Sequence, residues 1–281
     1  MDVSVTQASS RLPPASAGAP LEAALAALLE LRGLDLRDWR PAVLEARLKG
    51  AAEAAGCDGV PSLLERARAD PALWETIAQT LLRRPAAWFW DPRFFRALRA
   101  RVTPLLKTYP SVRVWVPGEI GGEEAAAIAI VLDEEGVLDR SRVYATGPVD
   151  AGLDAARAGR FDAAALDQAA PDYYRGGGRA GLSSHFAFDL AGATLADRLK
   201  RRIVFGQHSL ATDGSLNEFH LIVCRRALLD FNARLRQRAF QVFWESLPVL
   251  GVLALPAGEP PLPELPFQAL DRAAGLFRRS C

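Results

Sequence analysis

Residues 111–136 read as a strand, a glycine-rich turn and a helix in direct succession, and no other feature narrows the possible folds as far. SVRVWVPG is an apolar, β-branched run closed by Gly118. Gly121 and Gly122 then lead into EEAAAIAIVLDEEG, which has the length and apolar content of a buried helix. That order makes the first unit of a nucleotide-binding α/β fold. The rest of the chain continues the alternation: SRVYATG is a second strand, DAGLDAARAG a helix ending at Gly159, RRIVFGQ and FHLIVCRR two further strands. A helix over 235–247 precedes the strand PVLGVLAL, and FQALDRAAGLFRRS reads as two short strands around a turn. Seven strands alternating with helices predict a mostly parallel sheet covered on both faces.

Residues 21–102 have a different texture. LEAALAALLELRG carries apolar residues at helical spacing and stops at Gly33, RPAVLEARLKGAAEAAG opens on Pro41 and ends at Gly56, and three more helical stretches follow as far as TPLL. We therefore expect a tail over 1–20 rich in Ser, Pro, Ala and Gly and disordered, an all-helical domain over 21–102, and an α/β domain over 103–281. An insert between the second and third strands, PDYYRGGGRAGLSSHFAFDL, predicts a small β-hairpin subdomain at about 170–195.

Charge and cysteine content exclude several classes of function. Thirty-four basic residues against 33 acidic leave a formal charge of +1, so no global field recruits nucleic acid or an anionic membrane. The three cysteines, Cys57, Cys224 and Cys281, are scattered, which reads as a reduced, cytoplasmic protein without a disulfide frame. Only three histidines (His185, His208, His220) occur, at unrelated points, and no metal centre is expected. The first 20 residues lack the basic and apolar regions of a signal peptide, and the longest apolar stretches are too short to span a bilayer.

Six blocks in order resemble the chemotaxis receptor methyltransferase (CheR) family: RPAAWFWDPRFF, VWVPGEIGGEEAAAIA, ATGPVDAGLDAARAGRF, HSL, FHLIVCRRALLDF and FQALDRAAGLFRR. The resemblance runs from about residue 25 to 279. It implies a class I methyltransferase fold with a helical leader and an inserted β-subdomain, S-adenosylmethionine as cofactor, and glutamates of receptor proteins as substrate. On that resemblance the cofactor region comprises Gly118, Gly121, Gly122, Glu123, Gly147, Ser209 and Arg226, and Glu123 and Glu124 match an acidic pair of which one carboxylate would meet the cofactor's ammonium group, unless both simply favour the first turn of the helix.

Several of these positions depart from the family pattern. The acid that should end the second strand and accept the ribose hydroxyls is Gly147, followed by Pro148; Asp150 substitutes only if the turn is rebuilt. Val116, Pro117, Glu119 and Ile120 replace small or hydroxyl-bearing loop residues. The leading motif's Asn, Thr and Arg fall on Arg84, Ala86 and Trp90, and an Asn after the third strand falls on Ser209. The Asn and Tyr that follow the fourth strand fall on Arg226 and Asp230. At Trp90 and Asp230 the groups that the family points at the methyl-transfer site are gone, and Asp230 would repel an incoming glutamate.

Two readings stand open. In the first, the chain is a non-catalytic relative that needs no cofactor and acts as a binding protein toward a signalling partner, receptor-like in kind. In that reading Arg83, Arg84, Arg225 and Arg226, with Trp88, Phe89 and Trp90 nearby, suit a planar anion such as a phosphorylated nucleotide. Against this ligand stands the plain alternative that these arginines pair with Glu119, Asp91 and Asp230 or reach solvent. In the second reading, the chain is an active S-adenosylmethionine-dependent protein-glutamate O-methyltransferase with a remodelled site.

Overall fold

The computed structural model describes residues 19–281 except 83, 85–87, 151, 152 and 217. Most of the expected tail, and the expected ligand residue Arg83, thus lie outside the described residues. Four helices come first: α1 (Ala19–Arg32), α2 (Pro41–Ala54), α3 (Val60–Ala69) and α4 (Pro71–Leu82). Proline sits in the first turn of α2 and α3, where its missing N–H costs nothing.

After the segment around residue 85, α5 (Pro92–Ala97), a π-helical turn (Leu98–Val102) and α6 (Thr103–Leu106) form one bent rod. The expected domain boundary near 102 shifts here. Phe94, Phe95, Leu98, Val102 and Leu106 pack into the same apolar cluster as Val114, Val116 and the helix that follows, so this rod belongs to the α/β unit.

That unit follows in chain order: β1 (Val112–Pro117), α7 (Glu123–Glu134), β2 (Ser141–Gly147), α8 (Leu153–Ala158), β3 (Arg160–Phe161), α9 (Ala163–Arg175), β4 (Phe186–Asp189), β5 (Gly192–Leu195), α10 (Asp197–Lys200), β6 (Ile203–Gln207), β7 (Leu221–Val223), α11 (Ala233–Ser246), β8 (Val252–Ala254), β9 (Phe267–Asp271) and β10 (Leu276–Arg279). Seven strands form one sheet in the order β6-β2-β1-β7-β8-β10-β9. The β1, β2, β6, β7 and β8 pairings are parallel, and β10 runs antiparallel to both β8 and β9. This is the mostly parallel, doubly covered sheet of a class I methyltransferase fold.

The side-chain alternation of β1 divides the interior. Val114 and Val116 face α7 and the α5–α6 rod, while Trp115 faces the other cluster, which joins α1–α4 to α11. The run Ala125–Leu132 on α7 is buried at every residue, which is why its sequence is apolar all round. Helical leader and sheet are stitched together directly. Trp39 and Phe231 form an antiparallel bridge, with Arg40 N donating to Asp230 O at 2.8 Å and Asn232 N to Asp38 O at 2.9 Å.

The inserted subdomain starts earlier than the predicted 170–195. It is a three-stranded sheet in the order β3-β5-β4, with β3 at residues 160–161, and α9 intervenes. Pro171 lies inside α9 and disguised it: PDYYR reads as the opening of the β-hairpin insert, yet it is the last part of a helix capped by Asp162. No described helix is long and apolar enough to cross a membrane, and no cluster among the described residues has the composition of a metal centre.

Candidate functional site

Strand order reverses between β1 and β7, and open α/β sheets bind ligands at the carboxyl ends of strands beside such a switch. A cleft lies there in two lobes that share Leu82, Arg84, Gly118, Ile120 and Ala227. The apolar lobe, about 440 Å³, is walled by Leu36, Trp39, Pro148, Leu210, Phe231 and Leu235. The polar lobe, about 340 Å³, runs along Glu119, Gly121, Glu123, Glu124 and Arg226.

The β1–α7 turn is tightly specified. Gly118 adopts φ +73°, and a Cβ there would lie 2.4 Å from the Ala227 Cβ, so the loop rests on the turn after β7. Glu119 N donates to Thr146 O at 2.9 Å. The Glu119 carboxylate folds back on the start of α7 and accepts from Gly122 N at 2.9 Å, Glu124 N at 3.1 Å and Ala125 N at 3.3 Å. The chain thus supplies its own anion to a helix N-terminus whose N–H groups would otherwise face the cleft. Ile120, 5% exposed, lies over Gly147, which is itself buried. A Cβ on Gly147 would meet Ile120 Cδ1 at 2.6 Å and Glu119 O at 2.9 Å.

Other expected cofactor residues are dispersed. Asp150 points outward and pairs with Arg157 at 3.1 Å, its side chain 65% exposed, so the rebuilt turn does not bring it into the cleft. Ser209 lines the apolar lobe, but its backbone N–H is tied to Asp213 Oδ2 at 2.9 Å and its hydroxyl accepts from Ala211 N at 3.3 Å.

Of the expected anion residues, Arg84 and Arg226 both line the polar lobe, while Arg225 and Trp88 are taken up in packing. Arg84 reaches Asp230 at 2.5 Å and donates to Gly118 O at 3.1 Å. Arg225 is 1% exposed, lies 3.8 Å over the ring of Phe94 and 5.0 Å from Trp90, donates to Trp90 O at 2.8 Å and sits 3.4 Å from Glu124. Trp88 packs edge-on against Phe161 and Phe186 in the subdomain. Arginine pairing, the plain alternative, accounts for Arg84 and Arg225. Nor does Asp230 stand ready to repel a carboxylate, because Arg47 and Arg84 both neutralise it.

Two cleft residues escaped the sequence. Asp35 lines the apolar lobe from the α1–α2 loop, held by Arg37 at 2.7 Å. That hydrogen bond outweighs burial and lowers its carboxyl below the ordinary value. His208 also lines this lobe; one ring nitrogen lies 2.8 Å from Gly214 O. Asp35 belongs to no local motif, and His208, though it opens the HSL block, reads there as an isolated structural or surface residue; only the packing of distant segments brings the two to one lobe.

Burial, reinforced by Glu119 and opposed by Arg225, pushes the Glu124 carboxyl up to about 7. Its folded value thus lies above the ordinary 4.5 of the unfolded chain. Between those two values the native state keeps a proton that the unfolded state has released, so raising the pH favours unfolding, by up to about 1.4 kcal/mol per pH unit. Denaturation midpoints of the wild type should therefore fall from pH 5 to pH 7.5 relative to Glu124→Gln. Parallel pH profiles would contradict the assignment.

The profile of the CheR methyltransferase SAM binding domain matches residues 85–262. A Pseudomonas putida protein provisionally named methyltransferase Cher3 is 35% identical over 225 residues, covering 80% of this chain and 82% of that one. Chemotaxis protein methyltransferase 1 of Pseudomonas aeruginosa is 25% identical over 262 residues, covering 88% and 93%. With the strand order and the β1–α7 turn described above, these matches establish that the chain belongs to the CheR methyltransferase family.

Proposed function

We propose that this CheR-family chain acts by binding and does not transfer methyl groups. One observation carries the reading: the place where the family's ribose acceptor would project, above Gly147, is filled by Ile120 Cδ1 and the carbonyl of Glu119. On this reading the residues do not fit S-adenosylmethionine. Gly147 offers no carboxylate, Asp150 faces solvent, and the Glu119 side chain takes the N–H groups at the start of α7. Hydroxyls left without acceptors cost about 1–3 kcal/mol. Names of relatives such as chemotaxis protein methyltransferase 1 support a protein partner in chemotaxis-type signalling. A nucleotide ligand loses its support, because Arg84 and Arg225 are committed to Asp230, Gly118, Trp90 and Glu124.

Asp35 favours a second reading, an active enzyme in which this acid, which lines the apolar lobe, takes over the ribose hydroxyls. Thermal unfolding with 1 mM S-adenosylmethionine or S-adenosylhomocysteine separates the two. A ligand bound with a Kd of about 10 μM would add about 2.7 kcal/mol of stability and raise Tm by several degrees. The expected result is no shift and no heat by titration calorimetry. A shift of that size, abolished by Asp35→Ala, would sink the first reading and support the second.

A further inference from the structure

We infer that Glu119 and Ile120 form an internal plug, an autoinhibitory contact that shuts the cleft to a nucleoside. The inference rests on the non-catalytic reading and deepens it: refusal comes from residues added to the turn as well as from the acid missing at 147. Three contacts hold the plug. Its polar end is the Glu119 carboxylate on the N–H groups of Gly122, Glu124 and Ala125. Its backbone is pinned by Glu119 N to Thr146 O at 2.9 Å. Its apolar end is Ile120, which shares a cluster with Trp115, Val149 and Leu210 and covers Gly147. Ile120 and Gly147 are then a matched pair, because the small residue makes room for the large one. An aspartate restored at 147 alone would strike Ile120 Cδ1 and the Glu119 carbonyl before it reached the cleft.

The pair can be read without any ligand. Gly147 is not among the glycines with positive φ, so alanine there meets no backbone strain and would ordinarily stabilise by stiffening the unfolded chain. Gly147→Ala is instead expected to lower Tm by about 4 °C or more. Ile120→Val deletes the contacting Cδ1 at small cost. In that background the loss from Gly147→Ala should shrink measurably, the part due to the Glu119 carbonyl 2.9 Å from the added Cβ remaining. Equal losses in both backgrounds would overturn the pairing.

The second arm uses calorimetry with S-adenosylhomocysteine. Gly147→Asp alone should gain no binding, whereas Glu119→Ala/Ile120→Val/Gly147→Asp should bind at least tenfold more tightly than the unmodified chain. A folded triple variant without that gain overturns the plug and leaves the non-catalytic reading standing. Tight binding by the unmodified chain overturns both. Should the triple variant fail to fold, the alanine comparison still decides.

Discussion

Replacing Arg99 with methionine is expected to lower stability by about 3–5 kcal/mol and Tm by about 10 °C. Arg99 is carried by the π-helical turn between α5 and α6, and its guanidinium is almost fully buried. It reaches Glu134 at 2.5 Å and Glu135 at 3.2 Å, both at the end of α7, and donates to Gly176 O at 3.2 Å. Acids at a helix C-terminus oppose the helix dipole, so Glu134 and Glu135 are misplaced unless cations meet them. Arg99 and Arg179 do so, and the Tyr173 hydroxyl donates to Glu134 as well.

Burial pushes the Glu134 carboxyl up, but His185, Tyr173 and Arg99 outweigh it and leave the group at about 2. A lowered folded value contributes stability above the ordinary 4.5, and that stability is lost as pH falls toward 2. Without Arg99 the carboxylate is buried with fewer partners. Its value must rise, and the variant's deficit should narrow as pH drops from 7 to 4 and the group takes up a proton. The inserted subdomain hangs from the same clasp, because Gly177 and Gly178 leave no room for a side chain there: a Cβ added at Gly177 would lie 3.2 Å from Arg99 Cδ, and one at Gly178 would strike the Tyr173 ring. Amides of 176–189 should therefore exchange faster in the variant. An Arg99→Met protein that melts within 2 °C of wild type would show that this network contributes no more than exposed pairs do.

Periodicity and glycine placement made the large features of this chain legible. The β-branched runs of β1 and β2 end at glycines, and α7 is apolar all round, so strand, turn and helix can each be assigned from local sequence. The collinear blocks also placed Gly118 on the turn after β1, where it lines both lobes of the cleft with Ile120. What stayed hidden depends on which way side chains turn. Glu119 reads as an ordinary loop acid, and nothing local says that it caps α7. The fit of Ile120 over Gly147 joins two different strand ends. Pairing of Arg84 and Arg225 with acids is one of two readings open from the sequence; that the acid nearest Arg225 is Glu124, at the start of α7, is not legible there, because it comes from elsewhere in the chain. The helices over 92–106 read as part of the leader, since helical periodicity cannot say which cluster a helix joins.

Asp230→Ala should be comparably damaging, about 3–5 kcal/mol, and should loosen the seam between the helical leader and the sheet. Arg47 on α2 donates to both carboxylate oxygens at 3.1 Å, and Arg84 approaches the second at 2.5 Å. The same arginines donate to the carbonyls of Leu81 at 2.7 Å and Gly118 at 3.1 Å, and lie 5.4 and 6.0 Å from the ring of Trp39. They are held in place by these bonds, so removing the carboxylate leaves two like charges facing each other in a desolvated corner. Burial already pushes the Arg47 guanidinium below its ordinary value, and Arg84 adds to that while Asp230 opposes it. Asp230→Asn keeps an acceptor but no charge and should fall between wild type and alanine.

Adding Arg84→Met to Asp230→Ala removes one of the stranded cations, so the double variant should be more stable than the sum of single losses predicts. Hydrogen exchange should localise the damage to 38–40 and 118–122, the segments that the network joins. Tyrosine at 230, the residue that the family resemblance places there, cannot neutralise either arginine and should destabilise as much as alanine. Strict additivity of the double variant, or a tyrosine variant as stable as wild type, would refute the role of Asp230 as the interdomain anion.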